Sequence, residues 1–185
     1  MSDLYKFRPN RENKGLNIKS VRCDTYSSSF ESLYNTYTTY CEEHPNGSWI
    51  PEFQRGLVWT QEQKEQLILS MLNDLPIGAF YLNDWWFDDD EKRAKMDHVL
   101  FDGQQRFTAI LEFLTGEFPI TVEGREFYVT DLSFQEWLNI KRYPISIVHS
   151  YIEDWNDLID YYVLINKGGT QHTSEEFQKA LDCKE

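Results

Sequence analysis

The sequence predicts an α/β or α+β layer fold, in which helices and short strands alternate along 185 residues. Three observations lead to this fold class. Capping signals of the form Ser/Thr-x-x-Glu/Gln open several segments of helical periodicity. Two pairs of apolar runs flank connections rich in turn residues, as in β-hairpins. The helices and strands alternate, which is typical of layered domains with helices packed on a sheet.

The first helix is predicted to follow an N-terminal arm. Residues 1–24 carry six basic and three acidic side chains, a net charge of +3, and residues 16–22 have a strand pattern. A capping box with Ser28 as N-cap and Glu31 three residues later then opens a helix. We therefore expect a domain over 25–185, preceded by an arm that is either a solvated extension or a contact for a phosphate backbone.

A second helix is predicted after an extended segment at 49–51, where Pro51 disfavours helix for the residue before it. Thr60 and Gln63 form its capping box. The helix has one apolar face and ends near 73–76.

A β-hairpin with a long connection follows. Apolar runs at 78–82 and 98–101 predict its strands, and the charged segment 83–97 joins them. The acidic run at 88–91 is either a cation site or a solvated loop tip, and the basic pair that follows it favours the loop tip.

The rest of the chain continues the alternation. The predicted elements are a helix closed by Gly116, a hairpin over 118–129, a short helix capped by Ser133, a strand at 143–150, a helix from Trp155 that is broken at 166–170, and a last helix capped by Thr173.

Composition excludes several classes of protein. With 18 basic and 31 acidic residues the net charge is −13, which argues against a protein that wraps nucleic acid by neutralising phosphates. No apolar run approaches the roughly 18 residues of a membrane span, and the N-terminus lacks the apolar core of a signal peptide. The three cysteines have no zinc-site spacing, so we expect reduced thiols and a cytoplasmic location.

Three segments, 51–59, 102–106 and 166–173, are more polar than the periodicity requires. In the first, Arg55 either serves a site or stacks on Trp59 as a cation–π pair. The third is either a second phosphate cradle or a flexible turn between two helices.

The second segment, D-G-Q-Q-R, places a glycine turn between a strand and a helix. The first-turn amides of a helix are unpaired and the helix dipole is positive there, which favours an anion. Gly103 would let the anion approach, the two glutamines can donate hydrogen bonds, and Arg106 offers a planar cationic fork. The alternative is that Asp102 caps the helix and pairs with Arg106 at i+4.

Taken together, the motifs resemble a known family. The segments at 50–59, 67–78, 99–110 and 165–170 are similar to the N-terminal domain of GmrSD-type modification-dependent restriction endonucleases, over about 26–182. That domain belongs to the ParB/sulfiredoxin-like superfamily. The resemblance implies a small mixed sheet flanked by helices, and NTP hydrolysis or phosphoryl transfer linked to DNA restriction or modification, with Mg²⁺ as cofactor and no metal ligands assigned.

The resemblance also implies site residues. Asp102, as base or metal ligand, would be catalytic together with Arg55 and Gln105, and the nucleotide would be bound by Gln54, Gly103, Gln104, Arg106, Asn166 and Lys167. We expect Arg106→Ala to abolish NTP binding without unfolding the protein.

The chain ends before the His-Asn-His nuclease domain of those enzymes, and its four histidines are scattered, so autonomous DNA cleavage is not expected. DNA contact would fall to the basic arm. The alternative function is a non-catalytic acidic interaction or inhibitor protein that binds a partner from a restriction or DNA-processing system.

Overall fold

The computed structural model describes residues 21–84, 96–167 and 174–184. Within these residues it has six α-helices, a four-stranded mixed sheet and a two-stranded hairpin, so the predicted α/β class is confirmed. The elements are β1 (Cys23–Ser29), α1 (Phe30–Glu43), α2 (Gln61–Leu72), β2 (Ala79–Asn83), β3 (Leu100–Asp102), α3 (Gln104–Leu114), β4 (Ile120–Val122), β5 (Arg125–Phe127), α4 (Phe134–Lys141), β6 (Pro144–Ser150), α5 (Trp155–Lys167) and α6 (Ser174–Asp182).

The four-stranded sheet has the order β1-β6-β2-β3. β6 is antiparallel to β1 and parallel to β2, and β2 is antiparallel to β3. The predicted hairpin of β2 and β3 is therefore confirmed, whereas the acidic run in its connection lies outside the described residues. A register shift in this hairpin pairs Tyr81 with Asp102, and Leu82 with Leu100.

β1 differs from the sequence prediction. The strand expected at 16–22 lies mostly outside the described residues, and the observed strand is the polar segment from Cys23 to Ser29. This segment forms a strand because its backbone pairs along the whole length of β6. Ser28 is still in register with Ile145, so the predicted N-cap is wrong by one residue and Ser29 caps α1 instead. The arm at 1–24 stays a prediction.

The capping boxes of two other helices are confirmed. Thr60 Oγ1 accepts a hydrogen bond from the Gln63 amide, while Gln63 Oε1 accepts one from the Thr60 amide. Ser133 and Glu136 make the same reciprocal pair at the start of α4. The signal is local, which is why periodicity and caps locate these helices well.

A hydrophobic core joins the sheet to the helices. Phe107 on α3 packs against Trp49, with ring centroids 4.6 Å apart, and against Phe30 on α1. The aromatic residues of α1 are only partly core: Phe30 and Tyr40 are buried, but Tyr34 is 38% exposed, since only one side of that helix meets the sheet and α3. None of the helices within the described residues is both long and apolar enough to cross a bilayer.

Asn83, at the end of β2, is a buried polar residue that ties the sheet to the segment before α5. Its Nδ2 donates to the carbonyls of Met96 at 2.9 Å and Ile152 at 3.0 Å. Its Oδ1 accepts from Ser150 Oγ at 3.0 Å and from the Ile152 amide at 2.9 Å. All of the hydrogen-bonding capacity of this amide is used.

Candidate functional site

A cavity of about 400 Å³ lies between the N-terminus of α3, the segment before α2, and α5. It collects eight of the nine residues that the sequence nominated, although they come from three separate segments. They are Gln54, Arg55, Asp102, Gly103, Gln104, Gln105, Arg106 and Asn166. The ninth, Lys167, is the exposed last residue of α5 and does not line the cavity.

The start of α3 lines this cavity. The N-cap is Gly103, in a left-handed conformation with φ of +105°, so Asp102 is not the N-cap residue and Gly103 has no side chain to cap the helix. A Cβ atom on Gly103 would lie 2.7 Å from the Phe80 ring and 3.3 Å from Arg106 Nη2, so a side chain here would be strained and crowded. The first-turn amides of a helix favour an anion, so this end of the cavity is a candidate anion site.

Arg106 is held by three groups of the protein. Its Nη2 donates to Asp102 Oδ2 at 3.0 Å, and its Nη1 donates to the carbonyl of Ile77 at 3.0 Å. The guanidinium carbon lies 5.1 Å from the centre of the Phe80 ring. Burial lowers the pKa of Arg106, and the carboxylate of Asp102 opposes that shift. The i+4 pairing that the sequence left open is present, and a phosphate contact by Arg106 stays a prediction.

The side chain of Gln105 fastens the segment before α2. Its Oε1 accepts from the amides of Val58 at 3.0 Å and Trp59 at 3.2 Å, and its Nε2 donates to the carbonyl of Gly56 at 2.9 Å. These bonds hold the wall of the cavity that carries Gln54 and Trp59. A catalytic role for Gln105 stays a prediction, and it would have to coexist with these contacts.

Gln54 and Arg55 are the polar residues of that wall. Gln54 is 8% exposed, and its Nε2 donates to the carbonyl of Leu100. Arg55 does not stack on Trp59; its Nη1 lies 3.5 Å from Glu176 Oε1 on α6. This ion pair is long and the Arg55 side chain is 17% exposed. The guanidinium of Arg55 is therefore more available to a ligand in the cavity than the amide of Gln54.

The α5 side of the cavity differs in detail from the prediction. The helix was expected to break at 166–170, but it runs to Lys167. Asn166 therefore lies on a helix, where its Nδ2 donates to the carbonyl of Tyr162 at 2.9 Å. The glycine pair and the threonine cap that follow lie outside the described residues.

Sequence reasoning missed the aromatic part of the site. Trp59, Tyr81 and Tyr162 line the cavity. In the sequence each of them belongs to an apolar pattern that is typical of core residues. Burial raises the pKa of Tyr162 to about 12, with the positive charge of Arg55 opposing, so its phenol is neutral and can donate a hydrogen bond. The sequence contains one signal for these aromatic residues: polar motifs flank them. That signal indicates that they lie near a functional site.

The charges at the cavity balance. Arg106 faces Asp102 and Arg55 faces Glu176, so two cations meet two carboxylates. A phosphorylated ligand would therefore meet helix amides and one loosely paired arginine, rather than a strongly positive surface. Mg²⁺ is commonly bound by one or two carboxylates together with substrate phosphates, and Asp102 is a carboxylate of that kind in the lining of the cavity.

A second polar cluster lies at the other end of β2 and β3. Ligand atoms of Asp84, Asp97 and His98 are all within 4.8 Å of one another, so these residues could hold a metal ion. The hydrogen bond from His149 lowers the pKa of Asp84, and the hydrogen bond to Asp97 raises the pKa of His98. The histidines that seemed scattered in the sequence thus partly converge, since His98 and His149 both contact Asp84.

A small mixed sheet with flanking helices and a polar cavity at the start of a helix define an α/β domain with a candidate ligand site. A family model described as the GmrSD restriction endonuclease, N-terminal domain, matches residues 30–180, and the chain belongs to this family. Searches of curated proteins and of solved structures gave no match. The protein is therefore a ParB-like domain of restriction systems, and all residues that line the cavity lie within the matched range.

Proposed function

We propose that this domain binds a nucleoside triphosphate with Mg²⁺ in the cavity at the start of α3, and hydrolyses it or transfers its phosphoryl group in the service of DNA restriction or modification. The observation that carries the proposal is the convergence of three polar segments on one cavity at the start of α3, where the N-cap is a glycine. A volume of about 400 Å³ is within the ordinary range of ligand pockets.

Each group has a role in this proposal. The first-turn amides of α3 and the side chain of Gln104 hold phosphate oxygens, because they are hydrogen-bond donors of residues that line the cavity. Arg55 supplies the positive charge that stabilises the phosphoryl group in transit. Trp59 and Tyr81 offer aromatic surface for the base.

Asp102 is the proposed base or metal ligand, and Arg106 fixes its carboxylate. Mg²⁺ would neutralise phosphate charge, which the balanced cavity does not do by itself. Gln105 holds the segment before α2 in place, and Gln54 and Asn166 lie beside the phosphates. Lys167, which does not line the cavity, contributes its positive charge from outside it. In this scheme Gln105 and Arg106 are positioning residues, while Asp102 and Arg55 touch the reacting groups.

The binding test is thermal denaturation with each NTP at millimolar concentration, with and without Mg²⁺. A ligand at 100 times its dissociation constant adds about 2.7 kcal/mol, which raises the melting temperature of a domain of this size by roughly 5–10 °C. Arg55→Ala should remove this rise, whereas Arg125→Ala, an exposed arginine on β5, should keep it. If no NTP raises the melting temperature of the wild type, the proposal fails and the acidic interaction protein becomes the better hypothesis.

Hydrolysis is tested separately by release of inorganic phosphate. Asp102→Asn keeps the size of the side chain but removes its charge, so it should bind NTP and release phosphate at least about 100-fold more slowly. Equal rates for Asp102→Asn and wild type would exclude Asp102 as base or metal ligand.

A further inference from the structure

A polar cluster that the nucleotide proposal does not use surrounds Asp84, just after β2. His98 lies between two carboxylates: its Nδ1 is 3.0 Å from Asp97 Oδ1 and its Nε2 is 3.4 Å from Asp84 Oδ1. Ligand atoms that share one tetrahedral cation through bonds of about 2.1 Å lie about 3.4 Å apart. Since the three residues present ligand atoms within 4.8 Å of one another, a contraction of at most about 1.4 Å would bring them to one ion.

His149 and Tyr26 position the carboxylate of Asp84 through a chain of hydrogen bonds. His149 Nδ1 is 2.8 Å from Asp84 Oδ2, and His149 Nε2 is 2.9 Å from the hydroxyl of Tyr26. The His149 side chain is only 14% exposed. Hydrogen-bonded partners of this kind orient the ligands of metal sites and are needed for full affinity.

The cluster lies beside the sheet: Asp84 directly follows β2, and Asp97 and His98 lie in the segment before β3. His149 lies on β6, in register with Leu82 of β2. The amide of Asp84 donates to the carbonyl of Ser150 at 2.8 Å, next to the network of Asn83. The carbonyl of His98 accepts from Trp49 Nε1 at 2.8 Å. These backbone hydrogen bonds anchor the two segments that carry the cluster to the rest of the fold.

The two carboxylates of the cluster carry negative charge that a bound cation would neutralise. The Asp97 side chain is 9% exposed and that of Asp84 is 32% exposed. The negative charge of Glu43 also acts on His98. Within the described residues, no lysine or arginine forms an ion pair with Asp84 or Asp97, and imidazoles are their ion-pairing partners. A buried carboxylate such as that of Asp97 is normally paired with a cation or coordinates a metal.

The cluster opens onto a separate polar groove. A cavity of about 380 Å³ runs along α1, lined by His98 together with Ser32, Asn35, Thr36, Glu43 and His44, among others. The His98 side chain is 46% exposed, so an ion could reach the cluster from this side. An ion held by three protein ligands would keep coordination positions for water or for a ligand in the groove.

We propose that Asp84, Asp97 and His98 bind a divalent first-row transition metal such as Mn²⁺ or Zn²⁺, with His149 and Tyr26 as positioning residues. An imidazole ligand beside two carboxylates favours these ions over Mg²⁺, which prefers oxygen ligands alone. The site is distinct from the nucleotide cavity: Asp84 follows β2 and His98 precedes β3, whereas Ile77 and Asp102 line the cavity at the opposite ends of these strands. The two proposals can therefore fail independently.

The test is calorimetric titration of the full chain with Mn²⁺, in the absence of nucleotide. Mn²⁺ is the better first probe because thiolates such as that of the exposed Cys41 prefer Zn²⁺. We expect one Mn²⁺ per chain, and a loss of affinity above about 100-fold for His98→Asn. Asparagine suits this position, since His98 has a φ of +54°, so the variant should fold. His149→Ala removes the donor to Asp84 and should weaken binding by about 10–100-fold, whereas His149→Asn, which keeps a donor, should retain more of the affinity.

The matched control is His44→Asn, which changes a histidine on the same groove but outside the cluster. Its Mn²⁺ affinity should equal that of the wild type, and melting curves should show that each variant is folded. Unchanged affinity in His98→Asn, or no Mn²⁺ binding by the wild type at millimolar concentration, would overturn the proposal. So would a site that is lost on substituting Asp88, Asp89 and Asp90 by asparagine but kept in Asp84→Asn.

Discussion

The guanidinium of Arg106 lies 3.0 Å from the carboxylate of Asp102, so the two charged residues of the D-G-Q-Q-R motif bind each other across the start of α3. The same guanidinium donates to the carbonyl of Ile77 and lies over the Phe80 ring. This arrangement makes Arg106 part of the framework of the site and leaves the loosely paired Arg55 as the arginine with donors to offer.

Arg106→Ala should therefore lower stability, contrary to the expectation from sequence that it would act on binding alone. It leaves Asp102 without its ion-pair partner and the Ile77 carbonyl without its donor, at a cost of about 3 kcal/mol. Urea denaturation measures this loss, and the exposed Arg125→Ala should change stability by less than about 0.5 kcal/mol. If the two variants unfold at the same urea concentration, the framework role of Arg106 is wrong.

Gly78→Ala should be destabilising because of Arg106. Gly78 has a φ of +84°, and a Cβ atom there would lie 2.2 Å from Arg106 Nη1. A left-handed conformation costs an alanine about 1–2 kcal/mol, and displacing the guanidinium from its partners adds about 1–2 kcal/mol. Gly124→Ala is the matched control, with a φ of +77° and nothing within 4 Å of the new Cβ. Equal losses in the two variants would mean that the contact with Arg106 is unimportant.

Gln105→Ala should increase local opening of the segment before α2 more than it lowers the stability of the whole domain. Two backbone amides, those of Val58 and Trp59, lose the acceptor that now holds them. A hydrogen bond contributes about 1 kcal/mol, so their hydrogen exchange should speed up by about fivefold. Gln104→Ala, one residue away and without these contacts, is the control and should leave both exchange rates as they are.

Asn83→Ala should lower the free energy of unfolding more than Gln105→Ala or Gln104→Ala does, by about 3 kcal/mol or above. It removes four hydrogen bonds at a fully buried position and leaves the groups of Met96 and Ile152 without partners. Ser150→Ala removes one of these bonds and should cost about 1 kcal/mol. Thermal denaturation of both variants tests the ranking, and a milder effect for Asn83→Ala would contradict the network.

The helices could be predicted from sequence because their signals are local. The caps at Thr60 and Ser133 and the periodicity that follows them do not depend on the rest of the chain. β1 could not be predicted in this way, since its polar segment becomes a strand only by pairing with β6, more than 100 residues away. The same pairing moved the cap of α1 from Ser28 to Ser29.

The candidate site was predictable in its residue types and only partly in its geometry. The D-G-Q-Q-R motif indicated an anion site, but the contacts of Gln105 with a segment some 47 residues earlier arise from the fold. Trp59 and Tyr162 have the pattern of core residues until the fold opens a cavity beside them. The convergence of His98 and His149 on Asp84 depends on the order of strands, which no local pattern encodes.

The glycine that opens α3 has a consequence for the helix itself. Because Gly103 has no side chain to accept from the first turn, an oxygen atom from a bound molecule would serve as the missing cap. Occupancy of the site and order in the first turn of the helix would then be one equilibrium. The amides of Gln104 and Gln105 would report it directly, by exchanging more slowly as the site fills.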